Sequence, residues 1–430
     1  MAFKEIPSIL SNHIHRLLAA PWRRTLYIMF FAQMMSAVGF SSIFPFLPLY
    51  VKALGSRSGL SIEVLSGLVF SGQAFTMMLT APVWGALADR FSRKLMVERA
   101  CFGGTVILLL MAFARSAEDL VILRAIQGLI TGTVAAANAL VAAATPRQHT
   151  GYAMGLLQVG QGAGVALGPL IGGAVADLYG YGAAFYLTSG MLFLAGLLVW
   201  AGVKEEPTQQ ATRIVRETGF LEGWRHLLAT PGVGAAYGLR FLSHLGQMLI
   251  VPITPLFIAV LLANGGAGAP AGVNTFTGLV TGGSSAATTL SAVYLGRLGD
   301  RAGHRRIVIL CLAIAALLYL PQGLVQRGWQ LLALQVLVGI AMGGAIPGIS
   351  ALLARYTPQG AEGAVYGLEN SVTSGARTLA PLLGASAAVW FGMRAAYTSA
   401  GLLFFAAAAL ALSRLPGEGS GDPAPTYPLT

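Results

Sequence analysis

The sequence predicts an all-α membrane protein, with 12 transmembrane helices arranged as two pseudo-symmetric six-helix bundles. Composition is the first reason. The 430 residues are 55% hydrophobic and 10% charged, with mean hydropathy +0.70, whereas a soluble domain is about 25% charged. The second reason is a series of apolar stretches of about 20 residues, each long enough to cross the ~30 Å hydrocarbon core as a helix that satisfies its own backbone groups. They are continuously apolar rather than alternating, which excludes a β-barrel. The third is a repeat. The cluster Gly85-Ala86-Leu87-Ala88-Asp89-Arg90-Phe91-Ser92-Arg93-Lys94 returns half a chain later as Gly296-Arg297-Leu298-Gly299-Asp300-Arg301-Ala302-Gly303-His304-Arg305, the signature of an internal duplication.

Residues 1–24 form a cytoplasmic N-terminal segment in which Ile6, Ile9, Leu10, Ile14, Leu17 and Leu18 share one helical face ahead of Trp22-Arg23-Arg24. That spacing predicts an amphipathic helix lying on the membrane surface. The first bundle, 25–203, holds spans at 26–50, 64–88, 95–114, 118–144, 151–176 and 183–203. No cleavable signal pattern precedes span 1, which is expected to act as its own insertion signal. Residues 204–232 open Lys204-Glu205-Glu206-Pro207 and read as a cytoplasmic linker with a second surface helix. The second bundle, 233–413, holds spans at 233–262, 273–298, 307–326, 329–354, 362–389 and 394–413. The tail, 414–430, is expected to be disordered.

The repeat extends into the spans. Pro45-Phe46-Leu47-Pro48-Leu49-Tyr50 in span 1 matches Pro252-Ile253-Thr254-Pro255-Leu256-Phe257 in span 7, and Gly155, Gln158, Pro169 and Gly172 in span 5 match Gly367, Asn370, Pro381 and Gly384 in span 11. Cys101 and Cys311, the two cysteines, sit near the starts of spans 3 and 9, and neither suggests a disulfide or a metal ligand. A site is expected between the bundles near the bilayer midplane.

Net charge is +11, and its distribution reads as topology rather than as a nucleic-acid surface. Of the 27 Lys and Arg, 19 fall in the termini and even-to-odd loops, five on the other side, and Arg124, Arg240 and Arg377 lie inside spans. The positive-inside rule then puts both termini in the cytoplasm.

Ionisable groups inside spans are costly and mark function by default. Arg240 and His244 share a face of span 7, and Glu369 and Arg377 one of span 11. Glu369 is the first choice for a group that gains and loses a proton, because an apolar site raises a carboxyl pKa. The competing reading is a structural ion pair with Arg377, His244 or Arg240. Arg124 in span 4 is either functional or snorkels towards the outer interface near Glu118 and Asp119. Its counterpart in span 10 is Gln335. Gly160, Gly164, Gly168 and Gly172 recur every four residues in span 5, with Pro169 and Gly173 inserted. This bare face is expected to pack against Gly278, Gly282 and Ser285 of span 8. Cavity candidates are Gln33, Met34, Phe40, Phe70, Gln73, Gln158, Gln161, Arg240, Phe241, His244, Gln247, Asn370 and Arg377, an adaptable lining of amide, aromatic and Met groups with three ionisable ones.

The loop G-x-L-A-D-R between spans 2 and 3, with its copy between spans 8 and 9, resembles the signature loop of the major facilitator superfamily of secondary transporters. The resemblance covers residues 24–413. It implies that Gly85, Asp89, Arg90, Arg93, Asp300 and Arg301 act as a cytoplasmic gate, with Asp89 and Arg90 latching the bundles together. The R-x-x-Q-G of Arg124-Ala125-Ile126-Gln127-Gly128 resembles a second family motif, which implies proton coupling at Arg124, with Asp89 in support. The G-x-x-x-G-P-x-x-G-G of span 5 resembles the motif of the drug:proton antiporter branch. Span 11 departs from it at Ala376 and Ala380, and span 1 lacks the acidic residue many relatives carry. The P-F-L-P-L-Y, W-G-A-L-A-D-R and N-A-L-V-A-A-A stretches are most similar to the MdtG-like group of bacterial multidrug efflux proteins.

The resemblance implies an inner-membrane antiporter, monomeric and bathed in lipid, that exports small amphipathic drugs against a proton gradient and needs no cofactor. An exporter of a dedicated metabolite or lipid precursor is the alternative. Neither a nucleotide-binding G-x-x-x-x-G-K-[ST] loop nor a catalytic cluster occurs, which argues against ATP-driven transport and against an intramembrane enzyme. A receptor fits the duplicated, latched bundles less well.

Overall fold

The computed structural model describes residues 21–90, 92–146, 149–203, 232–263, 272–356 and 362–416, without the side chains of residues 21, 82, 85, 86, 88–90, 133, 135, 139 and 362–367. The expected surface helices at 5–18 and within 204–232, and most of the tail, lie outside these residues.

In the first half the helices are α1 (Pro21–Ser41), α2 (Leu47–Leu54), α3 (Ile62–Arg90), α4 (Arg93–Met111), α5 (Ala117–Ile130), α6 (Thr133–Ala144) and α7 (Thr150–Gly202). The second half follows with α8 (Val233–Leu249), α9 (Thr254–Ala263), α10 (Val273–Ala302), α11 (His304–Gln322), α12 (Gly328–Tyr356), α13 (Glu362–Phe391) and α14 (Met393–Arg414). Among the described residues six stretches meet both length and apolarity for crossing a membrane: Ile62–Ala81, Thr150–Gly202, Val233–Ala263, His304–Gln322, Gly328–Tyr356 and Met393–Arg414.

Three predicted spans are broken helices, each for a local reason. Spans 1 and 7 stop and restart as α2 and α9, with Pro48 and Pro255 second in the restarted helix. A proline lacks the N–H and its ring clashes with the carbonyl four residues back, so it suits a first turn and breaks an interior. Span 4 breaks at Gly132, whose φ of 150° favours glycine. Spans 5 and 6 instead run on as α7, turning at Gly180 (φ 85°).

Ser92 and Ser116 cap α4 and α5, accepting from the Leu95 and Asp119 backbone N–H at 3.0 and 3.2 Å, as N-cap serines do. Buried cores fill each half, for example Met29, Val97, Leu157 and Val199 in the first and Val308, Leu331, Tyr397 and Phe404 in the second. Large apolar side chains cover the outside, including Leu290, Tyr294, Trp390 and Phe405 at 66–76% exposure. A surface of that kind belongs against lipid rather than water.

The glycine ladder corrects the expectation for span 5. Its four-residue stripe lies on α1, not on span 8. A Cβ at Gly160 would meet Phe30 at 2.9 Å, one at Gly164 would meet Ala37 and the Met34 carbonyl at 2.6 Å, and one at Gly168 or Gly172 would strike Ser41 or the Ser42 carbonyl. Span 8 packs on an adjacent face instead. Gly278 abuts the Pro169 carbonyl, Gly173 the Asn274 carbonyl, and Gly282 the Ala166 carbonyl. Span 5, the first part of α7, is therefore sandwiched between α1 of its own half and α10 of the other, which takes two bare faces rather than one.

Candidate functional site

The halves meet along α7–α10 and α3–α13. Contact is tight at the end opposite the charged loops. There Gly67 faces the Pro381 carbonyl, 2.8 Å from a Cβ placed on it. The face of α7 that lies on α10 through Gly173, Pro169 and Ala166 continues towards the charged loops as Gln158, Gly155 and Gly151. These three are exposed, with nothing within 4 Å of a Cβ at either glycine. Among the described residues a cleft between the halves therefore opens at the charged-loop end and closes at the other.

In the second half, the four ionisable candidates form two pairs across α8 and α13. Arg240 Nε lies 3.0 Å from Glu369 Oε1, with side chains 19% and 13% exposed. The N–H is not aligned for a hydrogen bond, so the pair rests on charge attraction. Arg377 Nε donates to His244 Nε2 at 2.9 Å. Of the alternatives for Glu369, the partner is Arg240. Both Arg240 and Glu369 lie seven residues into their helices, about 10 Å from the charged-loop end. Arg377 is solvent-accessible although it is packed among protein atoms within electrostatic reach of Arg240. That combination marks a cavity wall rather than a lipid face. Asn370, seven residues earlier on the same helical face, is also exposed.

In the first half, Arg124 is almost fully buried at 2% exposure and does not snorkel. Its Nη1 donates to Gln73 Oε1 and Gln127 Oε1, both at 2.8 Å, and the guanidinium carbon sits 5.7 Å from the centre of the Phe70 ring. Among the described residues Nε and Nη2 have no partner. The counterpart Gln335 donates instead to Gln322 Oε1 at 2.9 Å, a neutral amide pair where the first half holds a cation.

The remaining cavity candidates divide by exposure. Gln33 and Phe70 are buried, with Phe70 stacked on Phe44 at 5.7 Å, while Met34, Phe40, Gln161, Phe241 and Gln247 are half-buried. Gln247 bonds within its own helix, to the Ser243 carbonyl at 3.3 Å.

Of the gate residues, Gly85, Asp89 and Arg90 close α3, with only their backbone described, and Arg93 opens α4 half-buried. Asp300 and Arg301 are exposed, and Asp300 Oδ1 pairs with Nε2 of His304, the first residue of α11, at 3.1 Å. Trp84 was not among the candidates. Its Nε1 donates to the Leu129 carbonyl at 2.7 Å and its ring lies 3.3 Å from the Arg99 guanidinium carbon, so it ties α3 to α5 and α4. Asp177 was missed as well. It stands four residues past Gly173 on the face that meets α10, and that spacing is the one signal that could have found it.

Known proteins share both sequence and architecture with this chain. The family model described as the Major Facilitator Superfamily matches it twice, at residues 29–261 and 236–426, once for each half. Multidrug resistance protein MdtG of Enterobacter lignolyticus (strain SCF1) is 34% identical over 376 residues, 87% of this chain and 88% of that protein. MdtG of Salmonella arizonae is 34% identical over 389 residues, 89% and 94% of the two chains. Among solved structures, a bacterial homologue of the human lysosomal transporter Spinster, in an inward-facing and unoccupied conformation, is similar with a TM-score of 0.75 at 16% identity, covering 90% of this chain and 95% of that one. The nucleoside transporter NupG, as a mutant, gives 0.73 at 12% identity, covering 91% and 100%. Two matched halves, two packed helix bundles and one-third identity over most of the length make this a transporter rather than an enzyme, and the chain belongs to the major facilitator superfamily, among its MdtG-like members.

Proposed function

We propose that the protein is a proton-coupled antiporter that exports amphipathic drugs across the bacterial inner membrane by alternating access, as a monomer with both termini in the cytoplasm. The observation that carries this reading is the Arg240–Glu369 pair in the wall of a cleft open at the charged-loop end. The Lys and Arg of the charged loops assign that end to the cytoplasm by the positive-inside rule, so the cleft is inward-open. The name carried by the relatives, multidrug resistance protein, supports drugs as the cargo class. The glycine ladder with Pro169 supports the antiporter branch.

In the cycle, substrate enters from the cytoplasm or inner leaflet while Glu369 is ionised and held by Arg240. The halves then rock outward, and a proton from outside neutralises Glu369. Neutralisation removes the attraction across α8 and α13, favours release and allows return. Protons drive export only if the two states bind proton and substrate differently. Arg124 and Asp89 act in support, and the proton gradient is the energy source.

The test is uptake of amphipathic fluorescent compounds into oriented proteoliposomes under an imposed pH gradient, comparing wild type with Glu369→Gln. Gradient-driven accumulation that disappears in the variant while binding survives is the expected outcome. Equal coupling in the variant makes Glu369 structural and moves attention to Arg124 and Asp89. No accumulation of any compound by the wild type counts against drug export.

A further inference from the structure

At the closed end, α10 starts at Gly272, which has a left-handed φ of 88° and no side chain to cap the helix. The first turn is capped from the other half of the molecule. Asp177 Oδ1 accepts from the Asn274 backbone N–H at 3.3 Å and from Asn274 Nδ2 at 2.7 Å, and Oδ2 accepts from the Thr275 N–H and Oγ1, both at 2.6 Å. One carboxylate thus receives four donors at the second and third positions of the helix, where a capping side chain and a negative charge are favoured. Around it the two backbones touch directly, through Gly173 on the Asn274 carbonyl and Gly278 on the Pro169 carbonyl. Among the described residues no contact of this kind occurs at the other end of the same face, where Gly151 and Gly155 have open space.

We propose that Asp177 is the latch that holds the far end of the cleft shut, a positioning residue that sets the balance between the two access states. The proposal rests on the alternating-access reading. Separating α7 from α10 at this end strips the cap from a helix that has none of its own. Every outward-open molecule must therefore leave those donors to water. The bare glycine faces let the carboxylate reach across, so the ladder neighbours and the latch work as one device. In the second charged loop Asp300 instead pairs with His304, the first residue of α11.

The experiment uses full-length protein with spin labels on cysteines placed at Tyr179 and Ala263, both exposed at this end, and Cys101 and Cys311 replaced by Ser. Double electron–electron resonance reads the distance across it. Asp177→Ala is expected to raise the long-distance population about tenfold relative to the short one, the scale of a lost helix cap. Asp177→Asn, which keeps one acceptor, should fall between it and the wild type. If Asp177→Ala does not fold, Thr275→Val removes a single donor and should shift the distribution in the same direction by less. An unchanged distribution in folded variants overturns the latch, whatever the transport assay shows. A shifted distribution in a protein that exports no drug keeps the latch and discards the drug reading.

Discussion

Arg240 and Glu369 show how much a single residue's value depends on its partner. A guanidinium and a carboxylate 3.0 Å apart and less than one-fifth exposed are each costly alone in a membrane. Removing one leaves the other unpaired, which costs about 3–5 kcal/mol, whereas removing both costs far less. Arg240→Ala is therefore expected to lower thermal stability in detergent more than the double variant Arg240→Ala/Glu369→Gln, measured by a double-mutant cycle on Tm. A loss in the double variant equal to the sum of the two single-variant losses would mean that the pair is not coupled. Arg124 obeys the same logic with neutral partners. Its two amide acceptors come from α3 and from its own helix, and both accept from the one nitrogen Nη1. The R-x-x-Q-G spacing put Gln127 within reach, one turn on. Gln73, 51 positions earlier, became a partner only through the packing of α3 on α5.

Among the elements, α7 carries the sharpest test. Its stripe of glycines lies on α1 so closely that a methyl group at Gly172 would overlap the Ser42 carbonyl, which belongs to backbone and cannot swing aside. Gly172→Ala is expected to destabilise by about 1–3 kcal/mol and to lower yield of folded protein. Gly155→Ala meets open space and should change stability by less than about 0.5 kcal/mol, and thermal unfolding of the two variants side by side decides the point. The four-residue spacing made a close-packed stripe legible in sequence but could not name its partner. Spans 1 and 8 both bring small residues, and the choice depends on how the helix is rotated within its bundle. The proline pairs were a second legible signal. Pro48 and Pro255 mark repeat positions in sequence, and the structure makes each the start of a helix restarted after a break. Periodicity read each span as one piece because the break leaves the apolar run uninterrupted.

For the whole molecule, sidedness and open end are linked. If the charged loops face the cytoplasm, a membrane-impermeant maleimide added to intact cells should label a cysteine at Leu178, which is 74% exposed at the closed end, and should miss one at Gln158 on the open-end face. In inside-out vesicles the pattern should reverse. Labelling of Gln158→Cys from outside in intact cells would invert the orientation and with it the direction of transport. Opposite labelling of two sites on one helix also reports which end of the cleft is open, something neither site reveals alone.

Class, span number, duplication and the identity of most charged groups buried in the membrane were all determined by sequence, because each depends on local quantities. Run length, apolar content and a repeated loop survive without knowledge of contacts. Pairings and the shape of the cleft were decided by tertiary structure alone. Glu369 had three possible partners on two helices and took Arg240; the ladder turned to α1; and Asp177, an ordinary acidic residue at a helix end, became the cap of a helix 97 positions away. The physical reason is that lipid penalises a polar or charged group wherever it falls deep in a span, and so reveals which residues need partners. The partner itself is fixed by the rotation and crossing of helices against one another, which no linear pattern encodes.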